Sequence, residues 1–286
     1  MSLTEASAPP TTIPARAETM AKAGAENFPV AGALLGRRRR RNLLAIYGFA
    51  RLVDDIGDEL DGDRLALLDW AEEELDRACE GQQPSHPTML ALAEAMRDVP
   101  LPAEPLRRLL EANRQDQRVQ SYETFGELLG YCTLSAAPVG ELVLHVFGAA
   151  TADRIALSDQ ICAGLQVTEH IQDVREDHAR GRIYMPAADL HRFGCTAKDL
   201  GAASATPALR ALVGLEVRRA GALLTEGAPL ARRLRGRAAL AVAAYVAGGH
   251  AALDAIEAAD CDVFSAQPRP GRLQSARAML RTVVSR

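Results

Sequence analysis

Apolar residues recur at helical spacing through almost all of this 286-residue chain, and no segment alternates as a strand would. Between Arg38 and Leu60, the residues Leu43, Leu44, Ile46, Tyr47, Ala50 and Val53 repeat as one buried helix face. Further helices are predicted over Asp63–Glu80, Thr88–Met96 and Glu104–Arg118. A Thr124/Glu127 capping box opens the next one, which runs to about Phe147 with a kink at Pro138. Asp153–Arg180 reads as one long rod, stopped by the loop Gly181–Pro186. Thr206 followed by Pro207 reads as an N-cap with Pro at the first helical position. Helices then continue to Gly227, over Ala231–Val246 and over His250–Asp260. Aromatics make up only 4% of the chain, so Ala, Leu and Val must build the core. The predicted fold class is all-α, an orthogonal helical bundle. Residues 21–267 are expected to form one domain, behind a disordered tail of residues 1–20. A linker at Pro268–Gly271 leads to a basic segment, 268–286.

Composition narrows the function classes. A net charge of -4 leaves no nucleic-acid footprint. The five cysteines lie at least 30 residues apart, so no zinc cluster is expected; buried, reduced thiols are. No stretch of about 18 apolar residues is free of charge, so no span is expected, and the protein reads as cytoplasmic. Five arginines, Arg37–Arg41, open the first long helix. They read as a solvated patch, an anionic membrane contact or a device that steers an anionic substrate.

Two acidic constellations carry the chemistry. In Val53–Glu59, VDDIGDE, the residues Asp54 and Asp58 are four apart and share a helix face, with Asp55 beside them. Like charges at that spacing repel. Tyr47 and Arg51 extend the line backwards one turn at a time. The segment is either a solvated acidic helix end or a cation site. Glu169, Asp173 and Asp177 then occur at i, i+4 and i+8 on another helix, just after Gln166. Two such stripes on one cavity would repel strongly without metal. Oxygen-only ligands suit Mg²⁺, which bridges carboxylate and phosphate. His170 and His178 lie near the second stripe and read as ordinary polar positions. Arg182 and Tyr184, in GRIYMP, follow one loop later. An arginine fork suits phosphate and a tyrosine hydroxyl can donate to a leaving oxygen, although a surface Arg and a core Tyr fit equally.

Together these segments resemble the squalene/phytoene synthase family of head-to-head isoprenoid synthases, from about Glu26 to Phe264. The segments AIYGFARLVDDIGDE (Ala45–Glu59), YCTLSAAPVGELVLHVFG (Tyr131–Gly148) and GLQVTEHIQDVREDHARGRIYMP (Gly164–Pro186) carry the resemblance. Within the family, ENFPVA (Glu26–Ala31), Asn113–Gln117 and Pro138-Val139-Gly140 look like the bacterial hydroxysqualene synthase branch of hopanoid biosynthesis. The resemblance implies the isoprenoid synthase helical fold with a central cavity. It implies magnesium–diphosphate held by Asp54, Asp58, Glu169, Asp173 and Asp177, with Arg51, Arg182, Tyr184 and Tyr47 assisting ionisation. Phe28, Asp55, Gln166, Asn113 and Pro138 are expected on the substrate side. The chain departs from the family at Glu169, where Asn is usual, at Cys162, where a smaller residue is expected, and at Ala137, usually polar.

The resemblance further implies a prenyl diphosphate partner, presqualene or farnesyl diphosphate, and enzymes of the same pathway alongside. Water capture of the cation gives hydroxysqualene; hydride capture gives squalene and proton loss a diene such as phytoene. No GxGxxG follows a strand, so NADPH is not expected. A silent helical subunit should have lost one stripe, and a peripheral membrane protein leaves both unexplained.

Overall fold

The computed structural model describes residues 13–21 and 36–264, so Phe28, the ENFPVA segment and the basic C-terminal segment lie outside the described residues. Among the described residues there are fourteen helices and no strand, apart from an isolated parallel bridge between Ser121 and Ile183. The all-α expectation therefore holds. By contacts the chain divides into two compact units: residues up to Arg118 with Glu141–Ala150, and Val119–Gly140 with residues from Thr151 on.

The first unit holds α1 (Arg16–Ala21), α2 (Arg37–Asp58), α3 (Arg64–Cys79), α4 (Pro87–Asp98), α5 (Ala103–Asp116) and the latter part of α7 (Ala137–Val146). All of the helix α1 but its last residue falls inside the stretch read as a tail. Phe49, Leu52 and Ile56 of α2 are completely buried, packed with Leu68 and Leu75 of α3, Leu92 of α4 and Leu110 of α5. Asp63 caps α3 by accepting from the Ala66 N–H at 3.0 Å. His86 caps α4: its Nδ1 accepts from the Thr88 N–H at 3.3 Å, which leaves the proton on Nε2 to donate to the Pro14 carbonyl at 3.1 Å. Burial pushes the His86 pKa down and keeps that neutral form. Part of the arginine run is structural. Arg38 reaches both carboxylate oxygens of Asp98 at 2.8 Å, Asn42 donates to the same carboxylate at 2.7 Å, and Arg39 lies over the Phe147 ring.

The second unit holds α6 (Phe125–Ser135), the start of α7, α8 (Ala152–Gln172), α9 (Val174–Ala179), α10 (Ala187–Phe193), α11 (Ala197–Leu200), α12 (Pro207–Gly227), α13 (Pro229–Arg233) and α14 (Gly236–Ala258). Its centre is the close pairing of α8 with α12. Glycines make the approach possible: a Cβ on Gly227 would lie 2.7 Å from the Leu157 carbonyl oxygen and 2.9 Å from the Ile161 nitrogen. Thr206 accepts from the Leu209 N–H at 3.2 Å, as its N-cap reading requires. Thr124 likewise accepts from Glu127 N–H, but the Glu127 carboxylate reaches back to the N–H of Glu123, one residue outside the box.

Four sequence expectations change. The rod over Asp153–Arg180 is broken at Asp173, whose ψ of 11° ends α8 and starts α9. The break divides the three carboxylates of the stripe between two helices. The Pro138 kink becomes a full break at Ala136, because the proline ring disfavours helix before it and fits the first turn of a new one. The expected gap near Gly248 does not occur: α14 runs through, and Gly249 lets Leu224 and Leu165 pack where a Cβ would stand. Cys79 is exposed, because it closes α3 at its solvent end. Two stretches, Phe125–Val146 and Gly236–Ala258, are also apolar and long enough by composition to cross a membrane, and each is partly buried inside the protein.

Replacing Gly227 with Ala should destabilise the second unit. The new methyl meets backbone, which cannot rotate away, so a loss of about 1–3 kcal/mol is expected. A lower urea midpoint with an unchanged m-value would report it.

Candidate active site

In the first unit the site is a line on α2. The helix is buried on the sides carrying Leu43, Ile46, Phe49, Val53, Ile56 and Gly57, while Tyr47 and Arg51 are half-buried and Asp54 and Asp58 exposed. Beyond the exposed Arg37–Arg41 turn, the predicted stripe Tyr47–Arg51–Asp54/Asp55–Asp58 reaches solvent at every position but one. Asp55 is the exception. Its side chain is 2% exposed, and Arg51 Nε donates to its Oδ1 at 2.8 Å. Arg51 Nη2 also donates to Glu59 at 3.1 Å, so one guanidinium offsets two carboxylates along the helix.

Asp54 is held from α5. Asn113 Nδ2 donates to Asp54 Oδ1 at 3.1 Å and to the Leu109 carbonyl at 3.2 Å. Gln117 Nε2 donates to the Gly57 carbonyl at 3.0 Å. Gly57 is what allows this: a Cβ there would run into the Asn113 amide oxygen. The glycine inside VDDIGDE thus seats the asparagine that orients its first acid, Asp54. Surrounding protein pushes the Asp54 carboxyl up to about 6, Asp58 and Asp55 add to the rise, and Asn113 and Arg51 oppose it. The side chain still meets solvent, which makes it a crowded but open carboxylate short of positive charge.

In the second unit, Gln166, Glu169, Asp173 and Asp177 are all half-buried along α8 and α9. The break at Asp173 keeps the main-chain link, with Asp173 N–H donating to Glu169 O at 2.9 Å and Asp177 N–H to Asp173 O at 2.8 Å. His170 departs from its reading as an ordinary polar position. It is 8% exposed, it stacks on Tyr184 with ring centroids 3.7 Å apart, and its Nδ1 lies 3.8 Å from Asp177 Oδ2. Its Nε2 is 3.3 Å from Gln166 Nε2. Burial lowers the His170 pKa, Asp177 pulls it back up and Arg182 pushes it further down.

Tyr184 is also packed against Tyr131 at 5.6 Å and Tyr122 at 6.0 Å. Four rings from three distant segments thus form one block behind the second acidic stripe. The GRIYMP loop delivers Tyr184 through a left-handed turn at Gly181, φ 81°, where glycine alone is unstrained. The Ile183 N–H then donates to Gln120 O at 2.7 Å and the Ala187 N–H to Tyr122 O at 2.9 Å, fixing the loop to the strand-like segment before α6. Arg182 is half-buried, its N–H donating to the Asp177 carbonyl at 2.9 Å. Pro138 is buried in the first turn of α7, and Gly140 lets that helix approach Ser158 and Cys162 of α8. The sequence reads His170 only as an ordinary polar position and misses Tyr131 and Tyr122, although His170 and Tyr131 both stand inside segments that carry a signal.

Among the described residues no three Asp, Glu, His or Cys side chains converge as a ready-made metal cage. Open, water-accessible carboxylates of this kind fit a cation that keeps waters and takes further oxygens from a phosphate.

A profile of the squalene/phytoene synthase family matches residues 21–277. The chain belongs to that family. Hydroxysqualene synthase of Rhodopseudomonas palustris is 40% identical over 215 residues, 73% of this chain and 72% of that protein. The crystal structure of squalene synthase HpnC from Alicyclobacillus acidocaldarius superposes with a TM-score of 0.79 at 44% identity, over 85% of this chain and 92% of that one. A dehydrosqualene synthase solved in complex with ligand matches with a TM-score of 0.84 at 24% identity, over 94% and 95% of the two chains, a likeness of fold alone. The chain thus has the isoprenoid synthase fold of squalene synthases, and its function is of the squalene/phytoene synthase type.

The Asn113 contact generates a direct test. The Asn113 amide is the largest influence lowering the Asp54 pKa. Asn113→Ala should move the Asp54 titration above its value of about 6. Carboxyl carbon shifts followed by NMR against pH, in metal-free buffer, would read the change.

Proposed function

We propose that this chain ionises presqualene diphosphate and captures the resulting cation with water, giving hydroxysqualene in hopanoid biosynthesis. The observation that carries this reading is the 40% identity to a hydroxysqualene synthase across most of both chains. The acidic stripes support the class of chemistry, and the short segments Asn113–Gln117 and Pro138-Val139-Gly140 support the branch. The principal rival is squalene synthase, favoured by the 44% identity to the protein of that name from Alicyclobacillus.

In this reading each stripe binds magnesium–diphosphate: Asp54 and Asp58 in the first unit, Glu169, Asp173 and Asp177 in the second. Bound magnesium would neutralise charge that grows on the leaving diphosphate. Arg182 adds a fixed guanidinium to the second stripe, and Arg51 keeps the first from collapsing under its own repulsion. Tyr184, clamped by His170, Tyr131 and Tyr122, is the hydroxyl assigned to a leaving oxygen. Tyr47 extends the α2 stripe on the substrate side, with Asn113 orienting Asp54. Cleavage of the carbon–oxygen bond leaves a cyclopropylcarbinyl cation and inorganic diphosphate. Water then supplies the new oxygen and releases one proton, so no reductant is consumed. Apolar faces of α6, α7 and α8 offer the cation few competing nucleophiles.

Turnover should stop in EDTA and return with Mg²⁺. Protons compete with the cation at Asp54, whose carboxyl titrates at about 6. Without metal, ionising Asp54 costs stability as pH rises from the ordinary carboxylate range to about 6. The Mg²⁺ concentration for half-maximal rate should therefore rise as pH falls below about 6, while a mechanism without metal would show no such dependence.

The product decides the branch. Presqualene diphosphate incubated in ¹⁸O water without NADPH should yield labelled hydroxysqualene by mass spectrometry. Squalene formed only on adding NADPH would move the assignment to squalene synthase.

A further inference from the structure

One end of the second unit carries positive charge that the proposed reaction does not use. Arg232, Arg233, Arg235 and Arg237 fall within six residues spanning α13 and the start of α14, and all four are exposed. From Gly227 to Leu253 the chain has no Asp or Glu. Arg154 of α8 brings a fifth guanidinium to the same end, its Nη2 donating to the Arg233 carbonyl at 2.9 Å.

Acids are not scarce in this protein, which carries 37 of them against 33 basic residues. Elsewhere exposed arginines find them: Arg38 pairs with Asp98, and Arg107 with Asp76. Among the described residues Arg233, Arg235 and Arg237 enter no ion pair. The cluster is thus a local excess of charge, held out to solvent against the sign of the whole chain.

The same patch has an apolar component. Leu240 follows Arg237 by three residues, on the same face of α14, and is 51% exposed. No other large apolar side chain among the described residues is as exposed. Ala241 and Ala244 continue that face, half-buried.

Arginines around an open leucine match the surface of a bilayer with anionic headgroups. Guanidinium forks bind lipid phosphates, and the leucine enters the boundary of the acyl region. A nucleic acid would use the arginines and leave Leu240 in water. We propose that the α13–α14 end of the second unit docks on anionic lipid membranes through Arg233, Arg235, Arg237 and Leu240. This stands independently of which isoprenoid the enzyme makes.

Sedimentation of the full-length protein with vesicles tests it. Binding is expected to an equal mixture of phosphatidylcholine and phosphatidylglycerol, not to phosphatidylcholine alone, and should weaken with salt. Each basic residue near such a surface contributes roughly fivefold, so the triple variant Arg233→Gln, Arg235→Gln, Arg237→Gln should lose about 100-fold in partition. Should circular dichroism show the triple variant misfolded, Arg237→Gln alone should lose about fivefold. Leu240→Ser should weaken vesicle binding but leave retention on a polyphosphate resin unchanged. The proposal is overturned if wild type binds neither vesicle or both equally, or if the arginine variants bind as wild type does. It is also overturned if Arg37→Gln, Arg40→Gln in the first unit abolishes binding in their place, or if Leu240→Ser has no effect on vesicles.

Discussion

A helix packed on most of its circumference can show polar atoms along one line, and α2 is such a helix. Burying Phe49, Leu52 and Ile56 is worth about 1.5–3 kcal/mol each. Repulsion between carboxylates four residues apart costs only a few tenths of a kcal/mol. Packing decides the outcome by a wide margin, so Asp54 and Asp58 are held together at the surface whether or not their charges are matched. The remaining residues around them are adjustments to that fact: Arg51 laid along the helix between Asp55 and Glu59, and Asn113 reaching across from α5.

The second unit solves a related problem differently. Three acids on one face are divided between α8 and α9 by the break at Asp173. Behind them stands an aromatic block in which burial lowers the His170 pKa while Asp177 opposes the shift. Away from the stripe, Arg219 lies between Asp189 and Glu216 at 2.5 and 2.7 Å and over the Phe125 ring, joining α12 to α10 and α6. Removing one member of such a buried set leaves a charge stranded, which typically costs several kcal/mol.

What could be read from the sequence were the features that repeat at short range. The spacings of Asp54 with Asp58 and of Glu169 with Asp173 and Asp177 follow from helical period alone, as do most helix positions and the Thr206 cap. Features built from distant segments could not be read. The rings come from three separate segments, and nothing local to His170 announces that Tyr131 and Tyr184 will pack against it, with Tyr122 packed against both tyrosines. The paired glycines at 248 and 249 look like a helix end, yet Gly249 faces Leu224 of α12 and Leu165 of α8, contacts visible only in three dimensions. Asp55 shares its motif with three exposed acids, Asp54, Asp58 and Glu59, and only the packing of α2 tells it apart from them.

Gly57 and Asn113 illustrate how such packing restricts the history open to a sequence. Any side chain at 57 occupies the space of the Asn113 amide oxygen, and any loss of Asn113 takes a hydrogen bond from Asp54. The effect of changing one position therefore depends on what stands at the other, and their energies will not add. A larger residue at 57 requires the Asn113 amide to move, so the two positions are coupled through packing. Two residues that are 56 positions apart in the chain thus act as one packing unit.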